Sequence, residues 1–218
     1  MTLIIPHKGQ RAWAADETAA FPFRRTRNGQ IMVSAALNGN VMEMIFDTGA
    51  EECLFGSNQA QKAGLDKLPH GELSTLHTVS GPVHAYYLPC EINLANLKHK
   101  VRICVQDEVM EMGILGAPFL RGYDCTIDNR AGVIRLYRSG GKQRSPIDSV
   151  AIPFEEDGHK MIVGAMVNNQ STLMCFDTGA FGVCFSKEQA ETLGIKIPDI
   201  SPNYTRGPNG KEVQSWDV

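Results

Sequence analysis

Residues 28–65 align without a gap on residues 158–195, at a constant offset of 130. Val33, Ala35, Asn38, Met44, Phe55, Gln59, Ala60 and Gly64 recur as Val163, Ala165, Asn168, Met174, Phe185, Gln189, Ala190 and Gly194. Between them the run Phe46-Asp47-Thr48-Gly49-Ala50 returns intact as Phe176-Asp177-Thr178-Gly179-Ala180. One residue of slippage extends the match upstream, where Pro22-Phe23 answers Pro153-Phe154. Shared composition does not produce an ungapped match of this kind, so the pattern implies duplication of one structural unit.

Each copy reads as β-rich. Ile31–Leu37 and Val41–Phe46 are short apolar runs, and Asn38-Gly39-Asn40 between them is a hairpin signal. Met161–Val167 and Thr172–Phe176 repeat the pattern around Asn168-Asn169-Gln170. Each aspartate therefore falls just past a hairpin strand. Cys53–Phe55 is a short apolar return. Ser57 is placed to cap a helix running to Ala63 and stopped by Gly64, and Ser186, with Gln189 at capping-box spacing, does the same before Gly194. Downstream of the first copy, Thr78-Val79-Ser80-Gly81-Pro82 reads as a turn between extended runs. Glu91–Leu97, Lys100–Gln106, Thr126–Asp128 and Val133–Tyr137 read as further strands, and Pro118 suits the first turn of a short helix. Residues 139–146 form a polar, glycine-containing linker.

A lone Asp-Thr-Gly is as often a turn as a functional loop. Two copies at equivalent positions of a duplicated unit point to chemistry, because a pseudo-twofold axis would set Asp47 and Asp177 face to face. Two adjacent carboxyls share one proton, so one serves as base while the other serves as acid at the same pH. Thr48 and Thr178 carry hydroxyls able to bond across the interface. Gly49 and Gly179 let backbone amides approach closely, and Phe46 and Phe176 face the core beneath the loops.

On these motifs the chain resembles the retropepsin-like aspartic peptidases. Asp47-Thr48-Gly49-Ala50 matches the catalytic loop of that family. His77-Thr78-Val79-Ser80-Gly81 resembles its flap tip. Ile114-Leu115-Gly116-Ala117-Pro118-Phe119-Leu120, with Thr126-Ile127-Asp128, resembles the segment closing a lobe beneath that loop. Asp177-Thr178-Gly179-Ala180 matches a second catalytic loop, and Tyr204–Gly210 a second flap turn. The resemblance implies an all-β fold of two pseudo-twofold related, pepsin-like closed β-barrel lobes with short helices. The expected layout is a tail over 1–20, a first lobe over 21–138, a linker over 139–149 and a C-terminally truncated second lobe over 150–218. It implies peptide-bond hydrolysis by a water held between Asp47 and Asp177, loop support from Thr48, Gly49, Thr178 and Gly179, and substrate contacts from Thr78, Ser80 and Gly81. Two alternatives stay open: a homodimer pairing Asp47 of two chains, and a non-catalytic module that binds peptides by β-addition.

Composition excludes other classes. With 21 Lys+Arg against 24 Asp+Glu and a net charge of −3, the chain has no basic surface to make nucleic acid the main partner. No apolar run approaches the ~18 residues of a membrane-spanning helix. The six cysteines include no C-x-x-C pair and the six histidines no H-E-x-x-H. We therefore expect no metal and no cofactor, and scattered buried thiols, with one or two disulfides if the chain is exported. Ala12-Trp13-Ala14 resembles a signal-peptidase site behind the short apolar Leu3-Ile4-Ile5, so the tail is read as an export-signal remnant in preference to plain disorder. Glu51-Glu52, Asp107-Glu108 and Glu155-Glu156-Asp157 are read as solvated loops, and Met110-Glu111-Met112 as core filler.

Overall fold

The computed structural model describes residues 2–5, 18–65, 72–78, 81–138, 150–180, 182–199, 202–206 and 212–215. Seventeen strands and three short helices lie among them. In chain order the first part holds β1 (Thr2–Ile5), β2 (Thr18–Pro22), β3 (Arg24–Arg25), β4 (Ile31–Leu37), β5 (Asn40–Phe46), β6 (Leu54–Gly56) and α1 (Ser57–Lys62). There follow β7 (Glu72–Thr78), β8 (Gly81–Leu94), β9 (Leu97–Gln106), β10 (Gly113–Leu115), α2 (Ala117–Leu120), β11 (Tyr123–Asp128) and β12 (Val133–Arg138).

The hairpin β4–β5 forms for the reason visible in its residues. Ile31, Val33, Ala35 and Leu37 alternate inward, and Asn38 and Gly39 adopt φ of 47° and 84°, a turn whose twist matches that of the flanking strands. Eight strands run in the order β3-β4-β5-β10-β6-β9-β8-β7, and a further pairing of β4 with β8 closes the sheet into a barrel. The short β10 lies at its centre. It runs parallel to β5, with Ile114 opposite Ile45 and Leu115 opposite Phe46, and antiparallel to β6. A second sheet, ordered β1-β11-β12-β2, shares the barrel's core. Phe21 of β2 lies 6.4 Å, ring to ring, from the fully buried Phe46.

Several expectations are corrected here. Thr2–Ile5, assigned to a tail, pair in full with Cys125–Asp128, giving the open edge of β11 a partner. Thr18–Pro22 likewise pairs with β12. The expected strand Glu91–Leu97 crosses a turn: β8 ends at Leu94, Ala95 takes φ 52°, and β9 starts at Leu97. The first helix is preceded by Gly56, not capped by Ser57. Gln59 Oε1 accepts from the Gly56 amide at 3.0 Å, which frees the Ser57 hydroxyl to donate to Asp107 O at 2.8 Å. The expected linker 139–146 lies outside the described residues.

The later part holds β13 (Phe154–Asp157), β14 (Lys160–Val167), β15 (Gln170–Cys175), α3 (Lys187–Thr192), β16 (Asn203–Arg206) and β17 (Glu212–Ser215). β13-β14-β15 form one antiparallel sheet and β16-β17 a hairpin. Glu155-Glu156-Asp157 is thus strand and not loop, because it pairs with Lys160–Ile162, though all three carboxylates stay exposed. Local bonds of the first part recur 130 residues on. Asn38 Nδ2 donates to Ala63 O and Asn168 Nδ2 to Leu193 O, while the amides of Leu65 and Ile195 donate to Ala60 O and Ala190 O. Ser186 caps α3, its hydroxyl accepting from the Gln189 amide at 3.1 Å. Burial does not recur. Val33, Ala35 and Phe46 are buried, whereas Val163, Ala165 and Phe176 are only partly covered.

All six cysteines are free thiols. Cys53, Cys90, Cys104 and Cys125 are buried, but Cys175 and Cys184 are exposed, against the expectation of buried thiols throughout. Among the described residues no helix is long and apolar enough to cross a membrane, and no cluster of metal-ligating side chains occurs.

Candidate active site

β5 ends at Phe46, level with the end of β10, whose Leu115 lies opposite Phe46. The Asp47 amide donates to Leu115 O at 3.1 Å, and the Ala117 amide donates to Ala50 O at 3.0 Å. Residues 47–50 are thereby tied at both ends to the segment that crosses beneath them. Gly116 sits so close under the loop that a Cβ would stand 2.8 Å from Ala50 O and strike Glu52 O. The loop then folds back on its own aspartate. The amides of Gly49 and Ala50 donate to Asp47 Oδ1 at 2.8 and 2.9 Å. In the later part the Gly179 amide donates to Asp177 Oδ1 at 2.7 Å.

The two loops meet and interlock. The Thr48 amide donates to Thr178 Oγ1 at 3.1 Å, and the Thr178 amide donates to Thr48 Oγ1 at 3.2 Å. Each hydroxyl then donates to the strand end opposite, Thr48 to Phe176 O at 3.2 Å and Thr178 to Phe46 O at 2.7 Å. Beyond the threonines each glycine faces the other loop's carboxylate. A Cβ on Gly49 would stand 2.5 Å from Asp177 Cγ, and one on Gly179 would collide with the Asp47 carboxylate. The absence of a side chain at both positions is what lets the two aspartates approach.

Asp47 responds as a crowded carboxyl should. Burial, then the charge of Asp177, then a hydrogen bond with Asp177 raise its pKa from 3.8 to about 7, against the opposing pull of the Gly49 and Ala50 amides. A carboxyl pair with this titration keeps one proton through mildly acidic pH. It can then give and take a proton in one step.

The structure thus brings together Asp47, Thr48, Gly49, Asp177, Thr178 and Gly179. Thr78 and Gly81 stand opposite each other at the tip of the β7–β8 hairpin, while Ser80 lies outside the described residues. Four neighbours of the loops escaped the sequence reading. Gln30 Nε2 donates to Gly179 O at 2.6 Å, and Lys160 Nζ lies 3.1 Å from Glu51 Oε1. The Tyr87 hydroxyl donates to Glu52 Oε1 at 3.0 Å, beneath the Arg102 guanidinium 4.4 Å above its ring. Glu51 and Glu52, read as free solvated residues, are therefore both engaged. The one signal available was that Gln30 and Lys160 are themselves 130 residues apart.

Residues 33–122 match the profile of the family described as "gag-polyprotein putative aspartyl protease". That span includes Asp47 and β10 but not Asp177. The DNA damage-inducible protein 1 of Kluyveromyces lactis is 24% identical over 124 residues, which is 51% of this chain and 27% of that protein. This chain thus spans 27% of that relative's length. A retropepsin-like aspartic protease from Rickettsia conorii superposes with a TM-score of 0.43 at 18% identity, covering 59% of this chain and 97% of that one. The EIAV protease in complex with an inhibitor superposes at 0.37 with 20% identity, covering 45% and 91%. Over part of its length and at low identity, the chain is similar to retropepsin-like aspartic proteases.

Proposed function

We propose that this chain is an aspartic endopeptidase whose catalytic pair is Asp47 and Asp177, carried by two related lobes over 21–138 and 150–218. The observation that carries the reading is the reciprocal threonine interlock, with each carboxylate resting over the other loop's glycine. The family match over the first loop supports it independently. Asp177 of the same chain occupies the place that a second chain's Asp47 would need, which favours one chain over a homodimer.

With one proton on the pair, the ionised carboxylate takes a proton from a water lying between the two. The oxygen attacks the peptide carbonyl carbon, while the protonated carboxyl donates to the carbonyl oxygen. A tetrahedral diol forms. The carboxyl that gained the water's proton then delivers it to the leaving nitrogen while the other carboxylate takes a proton back from a diol hydroxyl; the C–N bond breaks, the carbonyl re-forms, and the pair returns to one shared proton. Thr48 and Thr178 hold the carboxyls at fixed separation, so little reorganisation accompanies the reaction. Thr78 and Gly81 at the tip of the β7–β8 hairpin, together with Ser80, which precedes Gly81 in sequence, are assigned to cover an extended substrate and pair with its backbone.

The test is cleavage of an unfolded casein between pH 4 and 7 by the wild type and Asp177→Asn. We expect cleavage by the wild type and a loss of roughly 10²–10⁴-fold in the variant, the usual worth of a positioned acid–base group. Full activity in Asp177→Asn overturns the pairing. No cleavage by the wild type overturns the peptidase reading.

A further inference from the structure

The β7–β8 hairpin hangs from the barrel by one strand. β7 is the edge of the eight-stranded sheet, and β8 pairs with β9 only from Ala85, opposite Gln106, onward. Among the described residues, Gly81–His84 pair with β7 alone. At about 3.4 Å per residue the tip stands roughly 14 Å beyond the last β8–β9 pair, so a rotation of about 10° at the root carries it about 2 Å. What holds the root therefore decides where the tip lies.

Tyr87 lies at that root, two residues inside the last pair, opposite Cys104 of β9 and Glu72 of β7. Its ring packs against the buried Leu54, Ala85 and Cys104, a small cluster apart from the barrel's main core. The Arg102 guanidinium stands 4.4 Å from the centre of the ring, and the hydroxyl donates to Glu52 Oε1 at 3.0 Å. Glu52 lies two residues past the 47–50 loop, where the backbone is closely held. Gly116 packs directly against its carbonyl, and the Cys104 amide donates to the carbonyl of the next residue, Cys53, at 2.8 Å. The repeat shows that this contact is one-sided. At the offset of 130 the counterpart of Glu52 is Gly182, which has no side chain to accept a bond.

We propose that Tyr87 and Glu52 are positioning residues that seat the root of the β7–β8 hairpin on the chain leaving the first aspartate loop, and so set how the hairpin lies over a substrate held at Asp47 and Asp177. The inference rests on the reading of those aspartates as the catalytic pair. Apolar packing alone lets a ring slide, whereas a hydrogen bond to a carboxylate is directional and roughly twice as strong as a neutral one. Arg102 adds a cation on the ring face and keeps the ring in its plane. The phenol remains a donor throughout, because burial, then the bond to Glu52 and its charge, push its pKa up to about 12.

The experiment measures amide hydrogen exchange in the full chain, comparing the hairpin amides of β7 and of β8 up to Tyr87 with those of β4 and β5. The variants are Tyr87→Phe, which keeps the ring, Glu52→Ala, Glu52→Gln and the double variant Tyr87→Phe with Glu52→Ala. Casein cleavage is measured alongside. We expect hairpin exchange to quicken roughly tenfold in Tyr87→Phe and in Glu52→Ala, and by less in Glu52→Gln, which keeps an acceptor. Exchange in β4 and β5 should change by less than about twofold. The double variant should exchange no faster than either single one, because each already removes the same bond. KM for casein should rise about threefold or more with kcat within about twofold, as when contacts made equally with substrate and transition state are lost. Hairpin exchange unchanged in both single variants overturns the proposal, as do effects that add in the double variant, quickening shared equally by β4 and β5, or a loosened hairpin with KM unchanged. If hairpin exchange follows the pair but no form cleaves casein, the seat stands and the peptidase reading falls. If every form cleaves and exchanges as the wild type does, the peptidase reading stands and the seat falls.

Discussion

Asp47 carries an unusual burden for a carboxylate, since burial and the neighbouring Asp177 hold its pKa near about 7. The folded chain therefore binds this proton more tightly than the unfolded chain, in which an aspartate titrates at 3.8. Stability from the protonated form is complete below about pH 4 and is lost as pH rises through about 7. Asparagine at this position keeps an acceptor for the Gly49 and Ala50 amides and never ionises. Asp47→Asn should therefore be inactive yet more stable than the wild type at pH 8, by roughly 1–3 kcal/mol, with the gap closing at pH 4. Urea denaturation at the two pH values measures it. Equal stability of the two proteins at pH 8 would mean that Asp47 ionises freely in the fold.

β10 is three residues long and sets where the 47–50 loop can sit, because it fills the slot between β5 and β6 and accepts from the Asp47 amide through Leu115 O. Gly116, which follows it, has backbone oxygens of Ala50 and Glu52 where a Cβ would go. Gly116→Ala should cost about 2–4 kcal/mol and reduce cleavage, because backbone cannot move aside as a flexible side chain can. Gly164 in β14 has nothing within 4 Å of its Cβ position. Gly164→Ala should change stability by less than about 1 kcal/mol. Denaturant midpoints of the two variants check both expectations, and equal costs would remove β10 from its supporting role. Elements of this kind mark the limit of what the residues announce. The Asn38-Gly39 turn, the alternation of β4 and the Ser186 cap were readable, since each depends on neighbours within a few positions. The insertion of β10 between β5 and β6 joins residues some sixty positions apart and shows in the chain only as an apolar-apolar-glycine run that resembles a family's closing segment. The pairing of Thr2–Ile5 with β11 spans more than a hundred residues, and its apolar run suits a signal remnant equally well.

At the scale of the whole chain, the candidate site belongs to neither half alone. Phe46 through Ala50 and Phe176 through Ala180 were legible as a repeated motif, and their duplication pointed to a facing pair. The attachments that hold the halves in register were not legible, because Gln30, Lys160 and Glu51 are ordinary surface residue types until the fold sets them against each other. An interlock within one chain makes a kinetic statement. Specific activity per chain should stay constant from nanomolar to micromolar protein, since no assembly step supplies the second aspartate. Mixing Asp47→Asn chains with Asp177→Asn chains should restore less than about 1% of wild-type cleavage, because each chain carries one disabled carboxyl in its only pair. Recovery of a quarter or more would require the halves to exchange between molecules, pairing the intact Asp47 of one chain with the intact Asp177 of another. Activity rising with the square of concentration, together with full activity in Asp177→Asn alone, would instead pair Asp47 with its own copy. Measuring cleavage across dilution for the wild type, each variant and their mixture separates these arrangements, and the threonine bonds between the two loops predict the first.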